Sequence, residues 1–141
     1  MNNEDILQHQ CIKAFSEKYP EQRGLLFAVI NDTYSRNHAV TMRSLGMISG
    51  AADLIYVRDG KIVGIEVKHE GSIHDADHIR RQLWWGETII KSGGEYYMVS
   101  SVEAFFGVIE KRNVDQIYTI NKIEKLLSKG TKTVKISWIQ N

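Results

Sequence analysis

The chain has little that would constrain its backbone covalently. Among 141 residues there is one cysteine, Cys11, and one proline, Pro20. A lone thiol excludes a disulfide within the chain, so stability has to come from packing. Cys11 lies on the apolar side of an N-terminal helical pattern, where burial as a small hydrophobe is expected. No apolar run is long enough to span a bilayer and no basic-then-apolar leader is seen, so no membrane association and a cytoplasmic location are expected. Neither a repeat nor a low-complexity segment is present. The net charge of +1 gives no global attraction for a polyanion. The length fits one domain, residues 1–141, burying roughly two-thirds of its unfolded surface.

Charge is unevenly distributed. From Lys111 onward seven basic residues (Lys111, Arg112, Lys122, Lys125, Lys129, Lys132, Lys135) face Asp115 and Glu124, a balance of +5. The remainder has eleven basic and fifteen acidic residues, a balance of −4. Residues 111–141 therefore read as a basic extension suited to phosphates, or as a solvated lysine-rich surface.

Hydrophobic periodicity predicts alternating helices and strands. Residues 3–18 form an amphipathic helix capped by Asn2 or Asn3, with Ile6, Leu7, Gln10, Ala14 and Phe15 on or near one face, and Pro20 ends it. Leu25–Ile30 is a short apolar strand. Residues 31–50 are a polar connector with a short helix near Val40–Leu45. Further on, helices are predicted at 74–92, 102–110 and 117–129, and strands at 96–100 and 133–139. The fold class is α/β, a mixed sheet with helices on both faces.

The most informative stretch lies between residues 52 and 68. Ala52-Asp-Leu-Ile-Tyr-Val-Arg58 and Lys61-Ile-Val-Gly-Ile-Glu-Val-Lys68 are rich in β-branched and aromatic residues, and only Asp59-Gly60 separates them. That dipeptide is a strong signal for a two-residue hairpin turn with positive φ at both positions. Arg58 then pairs with Lys61, Tyr56 with Val63, Leu54 with Ile65, and Asp53 faces Glu66. Side chains directly opposite lie about 4.5–5.5 Å apart at Cβ, where like charges repel. Lys68 shares their face because side chains alternate along a strand. That face also carries Ile55, Val57 and Ile62, and the other carries Leu54, Tyr56, Ile65 and Val67. Both faces are apolar, as in a central strand pair, so the charges sit at the margin of a core. Two carboxylates and a lysine placed so suggest a divalent metal site.

The wider order of motifs resembles the PD-(D/E)XK nuclease superfamily and, within it, the VRR-Nuc family. The resemblance runs through Glu4 and Gln8, Leu25-Leu-Phe-Ala-Val-Ile-Asn31, and Leu45-Gly-Met-Ile-Ser-Gly-Ala-Ala-Asp53. It continues in Ile65-Glu-Val-Lys68, Gln82-Leu-Trp-Trp85 and Gly94-Glu-Tyr-Tyr-Met-Val-Ser100, and covers about residues 3–110. Ala52 and Ile30 stand where the family usually has proline, a change that removes no catalytic group.

The resemblance implies a restriction-endonuclease-like fold and a Mg²⁺- or Mn²⁺-dependent DNA endonuclease acting on branched or structured DNA, in the manner of a Holliday junction resolvase. It implies a homodimer, since two sites are needed to nick two strands, and a bacterial or phage-infected cell. Asp53, Glu66, the backbone carbonyl of Val67 and Glu4 would hold the metal, and Lys68 would orient or deprotonate the attacking water. Gln82 would position Lys68 or touch substrate. Asn31, Arg36, Arg43, Arg80 and Arg81, with His38, are candidates for DNA contact, although adjacent arginines diverge by about 100° on a helix and one at most of the last pair would point at the site. Glu4 could equally be an acidic first-turn residue favoured by the helix dipole. Trp84 and Trp85 read as core or subunit-interface anchors.

Two other readings stand beside this one. His74 and His78 have the i, i+4 spacing of helical zinc ligands, without the glutamate of the usual motif. The chain could also be a catalytically silent, dimeric subunit that binds and bridges DNA. Residues 117–127 and 133–139, with Trp138, would either build the dimer interface or finish the core.

Overall fold

The computed structural model describes residues 1–128 and 130–138. Its first helix, α1 (Asn3–Lys18), starts where a cap exists: the Asn2 side chain accepts from the Asp5 N–H at 2.8 Å. Leu7, Cys11 and Phe15, one turn apart, form its buried stripe, while Ile6 and Gln10 are exposed. Burial pushes the Cys11 thiol up to about 12, so it behaves as a small apolar group. β1 (Leu26–Ala28) is shorter than the apolar run that predicts it, because only three residues pair with the next strand. The connector holds α2 (Arg36–Ser44), capped by Ser35 and without a single buried residue.

β2 (Leu54–Arg58) and β3 (Lys61–Val67) form the expected hairpin. Asp59 and Gly60 have φ of 53° and 76°, and the register runs from Arg58↔Lys61 to Leu54↔Ile65. β4 (Ile73–Asp75) and α3 (Ala76–Lys91) follow, then β5 (Glu95–Val99), which lies parallel to β3, and α4 (Val102–Glu110). β6 (Ile117–Tyr118), α5 (Ile120–Leu126) and β7 (Thr133–Lys135) complete the described chain. The main sheet has the order β1-β2-β3-β5-β6, with β3–β5 its parallel pair, and β4 and β7 make a separate ribbon.

Apolar side chains cover both faces of the sheet. Leu54, Tyr56, Ile65, Val67 and Val99 pack with Leu7, Cys11, Phe15 and Phe105 on the α1–α4 side. Tyr96, Met98 and Tyr118 pack with Ile79, Ile123, Val134 and Ile136 on the α3–α5 side. Each such side chain contributes about 1.5–3 kcal/mol by leaving water. The result is a mixed sheet covered by helices on both faces, the α/β layering expected from the sequence.

Three elements differ from expectation. Residues 73–75 are not the start of a helix but pair with 133–135, and Asp75, accepting from Asp77 N–H, sets the helix start at Ala76. Ile117–Tyr118 pairs with Val99 and Met98, so α5 begins only after its cap, Thr119. The closing strand ends at Lys135, and Ile139, like Lys129 of the basic extension, lies outside the described residues. Val134, Ile136 and Ile123 are buried, and the Trp138 ring stands edge-on to Tyr118 at 5.4 Å, so this segment finishes the chain's own core. No helix among the described residues is long and apolar enough to cross a membrane.

Candidate active site

The end of the hairpin away from its turn opens into a cleft of about 470 Å³. Its walls come from the first turn of α1, residues 29–33 after β1, residues 43–53 around and after α2, the end of β3 and the start of α3. Gly50 lets the 47–52 segment lie against α3. Its φ is +94°, and a Cβ there would fall 2.4 Å from the Arg81 carbonyl oxygen. Asn31 ties the two loops together by donating from Nδ2 to the Ala51 carbonyl at 3.2 Å.

Asp53 leaves the end of β2 at the predicted position. Its Oδ2 accepts from the Val67 N–H at 2.8 Å, which brings its carboxylate alongside Glu66. Glu66 is 1% exposed, and its Oε2 has no hydrogen-bond partner among the described residues. Burial, and then the neighbouring Asp53 charge, hold the Glu66 carboxyl well above the usual carboxylate range. Lys68 is 4% exposed, its backbone is fixed by the Lys68 N–H to Val99 carbonyl bond of 3.0 Å, and its charge acts on Glu66, Glu4 and His78. No hydrogen bond or ion pair among the described residues engages its ammonium.

Gln82 reaches the cleft from α3. It is 4% exposed, its Nε2 lies 3.1 Å from His78 Nε2, and its Oε1 is buried without a partner. Burial, then the charges of Lys68 and Arg81, lowers the His78 pKa, and a His78 ring unprotonated at Nε2 accepts from the Gln82 amide. His78 is the cleft residue whose role the sequence did not disclose. His74, its supposed zinc partner, sits in β4, off the helix, with Nε2 2.7 Å from Ser72 Oγ and 3.1 Å from Glu4 Oε2. The helical i, i+4 zinc arrangement is therefore not formed.

Glu4 lines the cleft, yet its Oε2 is engaged by the His69 N–H at 3.1 Å and by His74. Burial raises this carboxyl, but the His74 bond, the Lys68 charge and the His69 N–H outweigh it and leave the pKa below the ordinary value. Among the described residues no three His, Cys, Asp or Glu side chains are gathered to hold a metal ion by themselves. Two carboxylates, one with an unpartnered buried oxygen, instead fit a hard divalent cation that keeps its other positions for water and substrate oxygens.

No family model matches this chain, and no curated protein matches it. A similar structure is found among those solved. That structure is Hjc, a Holliday junction resolvase from the archaeal hyperthermophile Archaeoglobus fulgidus, at 13% sequence identity over 92% of this chain and 87% of that one. The TM-score of 0.48 is too low to carry an argument about activity, so the chemistry rests on the site's own atoms.

The remaining candidates divide by position. Asn31 and Arg43 line the cleft with Glu4, Asp53, Glu66, Val67, Lys68 and Gln82. Arg36, Arg80 and Arg81 are exposed outside its lining, and Arg80 Nη1 is 2.9 Å from Asp77. Among the described residues none of the basic extension lines the cleft. Lys111 and Arg112 border a cavity elsewhere with Arg58, and Lys122 lies over the Trp138 ring. Trp85 is half-buried, edge-on to Tyr96, whereas Trp84 is exposed. Gln8, noted only for its place in the motif series, also lines the cleft.

Proposed function

We propose that the chain is a Mg²⁺- or Mn²⁺-dependent DNA endonuclease of the VRR-Nuc kind, acting as a homodimer on branched DNA. The observation that carries this reading is the buried Glu66 beside Asp53, with Lys68 two residues further on the same strand face and all three opening into one cleft. Asp53 and Glu66 would hold the cation, with the Val67 carbonyl and Glu4 completing its surroundings. A divalent cation so held neutralises phosphate charge and promotes formation of the attacking oxygen nucleophile.

The chain's own groups supply the rest. The Lys68 ammonium is a compact positive charge at the cleft, unpaired among the described residues and suited to orienting water and stabilising charge on the phosphate. Gln82, braced by His78, holds an amide at the same wall and fixes the approach of Lys68 or of a substrate oxygen. Asn31 and Arg43 are placed to meet the backbone of a bound strand. Two copies would present two such sites, one to each strand of a junction.

One observation favours the catalytically silent, DNA-bridging alternative: Glu4 is held by His69 and His74, leaving two carboxylates rather than three. Cleavage decides between them. Metal-dependent DNA cleavage is expected from the wild-type chain, with Glu66→Ala and Lys68→Ala each losing at least about 10²-fold in kcat, a loss typical of removing one transition-state stabiliser. DNA binding without cleavage by wild type would support the silent reading. Cleavage undiminished in both variants would remove the site assignment.

A further inference from the structure

Tyr96 lies behind the site, and two glycines make room for it. On β5 it is the register partner of Gly64 on β3, two residues before Glu66 along that strand and on the same face. A Cβ on Gly64 would lie 3.3 Å from the Tyr96 ring and 2.6 Å from that of Trp85. On α3, a Cβ on Gly86 would lie 2.5 Å from the Tyr96 ring. A mid-helix glycine costs about 1 kcal/mol against alanine, and a strand glycine forgoes a packed side chain. Both positions thus give up local stability to seat one aromatic ring.

That ring is 2% exposed, and its hydroxyl has no hydrogen-bond partner among the described residues. Buried hydroxyls in folded proteins are paired as a rule. Its register places it diagonally beside Glu66, and burial first, then the Glu66 and Asp53 carboxylates, hold its hydroxyl well above the usual phenol range. Glu66 Oε2 is itself buried and unpartnered. One face of the sheet thus buries a donor without an acceptor and, two residues along, an acceptor without a donor among the described residues.

We propose that Tyr96 is a positioning residue of the cation site: its hydroxyl donates to the Glu66 carboxylate and fixes that carboxylate in its ligating orientation. The inference rests on the metal-site reading of Asp53 and Glu66. Metal-binding carboxylates are held by hydrogen bonds of this kind, and losing such a partner commonly lowers metal affinity 10–100-fold. Tyr96 touches neither the DNA nor the cation in this role. It acts through Glu66.

The test is Mn²⁺ binding to the whole chain by calorimetry, for wild type, Tyr96→Phe and Glu66→Ala, with melting temperatures measured in chelator. Tyr96→Phe is expected to melt close to wild type and to bind Mn²⁺ about 10-fold or more weakly. Unchanged Mn²⁺ affinity in Tyr96→Phe overturns the proposal, as does a lowered melting temperature with unchanged affinity, the result of a purely structural role. If Glu66→Ala binds Mn²⁺ as wild type does, the metal-site reading itself falls and takes this inference with it. Should Tyr96→Phe not fold, the hydroxyl proton of Tyr96 in the wild type decides by NMR. A slowly exchanging resonance that shifts on adding Mg²⁺ supports the proposal, and one unmoved by Mg²⁺ overturns it.

Discussion

Two carboxylates cannot share a buried corner of a sheet without consequence. Asp53 and Glu66 do so because strand alternation, a two-residue turn and a central hairpin leave them no other place. This much was legible in the sequence, since the register follows from Asp59-Gly60 alone. What surrounds the pair was not. The His74 bond that holds Glu4 and the His78 bond that braces Gln82 join residues that periodicity does not place together. A different ion pair shows what such contacts do for stability. Glu110, at the end of α4, accepts from Lys18 and Tyr19 at the end of α1 and from Arg112, and these bonds, Lys18 first, lower its carboxyl to about 2. A depressed carboxylate stabilises the fold fully above its unfolded value of 4.5, and the contribution is lost as pH falls through about 2. Glu110→Gln is therefore expected to lower the melting temperature by about 3–5 °C at pH 7, the equivalent of roughly 1 kcal/mol. The gap should narrow below pH 4.5 and close near pH 2; a gap constant down to pH 2 would contradict this account.

At the scale of elements, the long periodic segments were legible and the short strands were not. α1 and α4 appear at the residues predicted, each with its cap, Asn2 or Ser101. β4 and β6 are three and two residues long, and nothing local distinguishes them from the first turns of the helices that follow. Only pairing with a distant partner, 133–135 for β4 and β5 for β6, makes them strands. A tertiary contact overrides local propensity there. The contact between α3 and the sheet is likewise a tertiary fit, made by two glycines that the sequence alone did not single out. Gly86 and Gly64 are the small residues that let Trp85 and Tyr96 fill the space between α3 and β3–β5. Gly86→Ala gains helix propensity and meets the Tyr96 ring at 2.5 Å. Overpacking outweighs the propensity gain, and urea unfolding should show a net loss of about 1–3 kcal/mol. An equal or higher stability would mean that the ring has freer space than the structure gives it.

For the whole molecule, the basic extension finishes the core rather than forming a separate arm. Val134 and Ile136 are buried against the α3–α5 side of the sheet, and among the described residues no charged residue of the extension lines the cleft. The net charge of the chain therefore says little about DNA; the local chemistry at the open end of the hairpin says more. Asp53, Glu66 and Lys68 are proposed to form a cation-assisted, phosphodiester-cleaving site that acts on branched DNA. Its most direct test is cleavage of labelled four-way junction, flap, linear duplex and single-stranded DNA, in Mg²⁺ or Mn²⁺ and in chelator, by wild type and Lys68→Ala. The account predicts paired cuts in the junction that need the metal and Lys68, with the linear duplex left largely intact. Tight, salt-sensitive binding with no cutting of any substrate in either metal would contradict it.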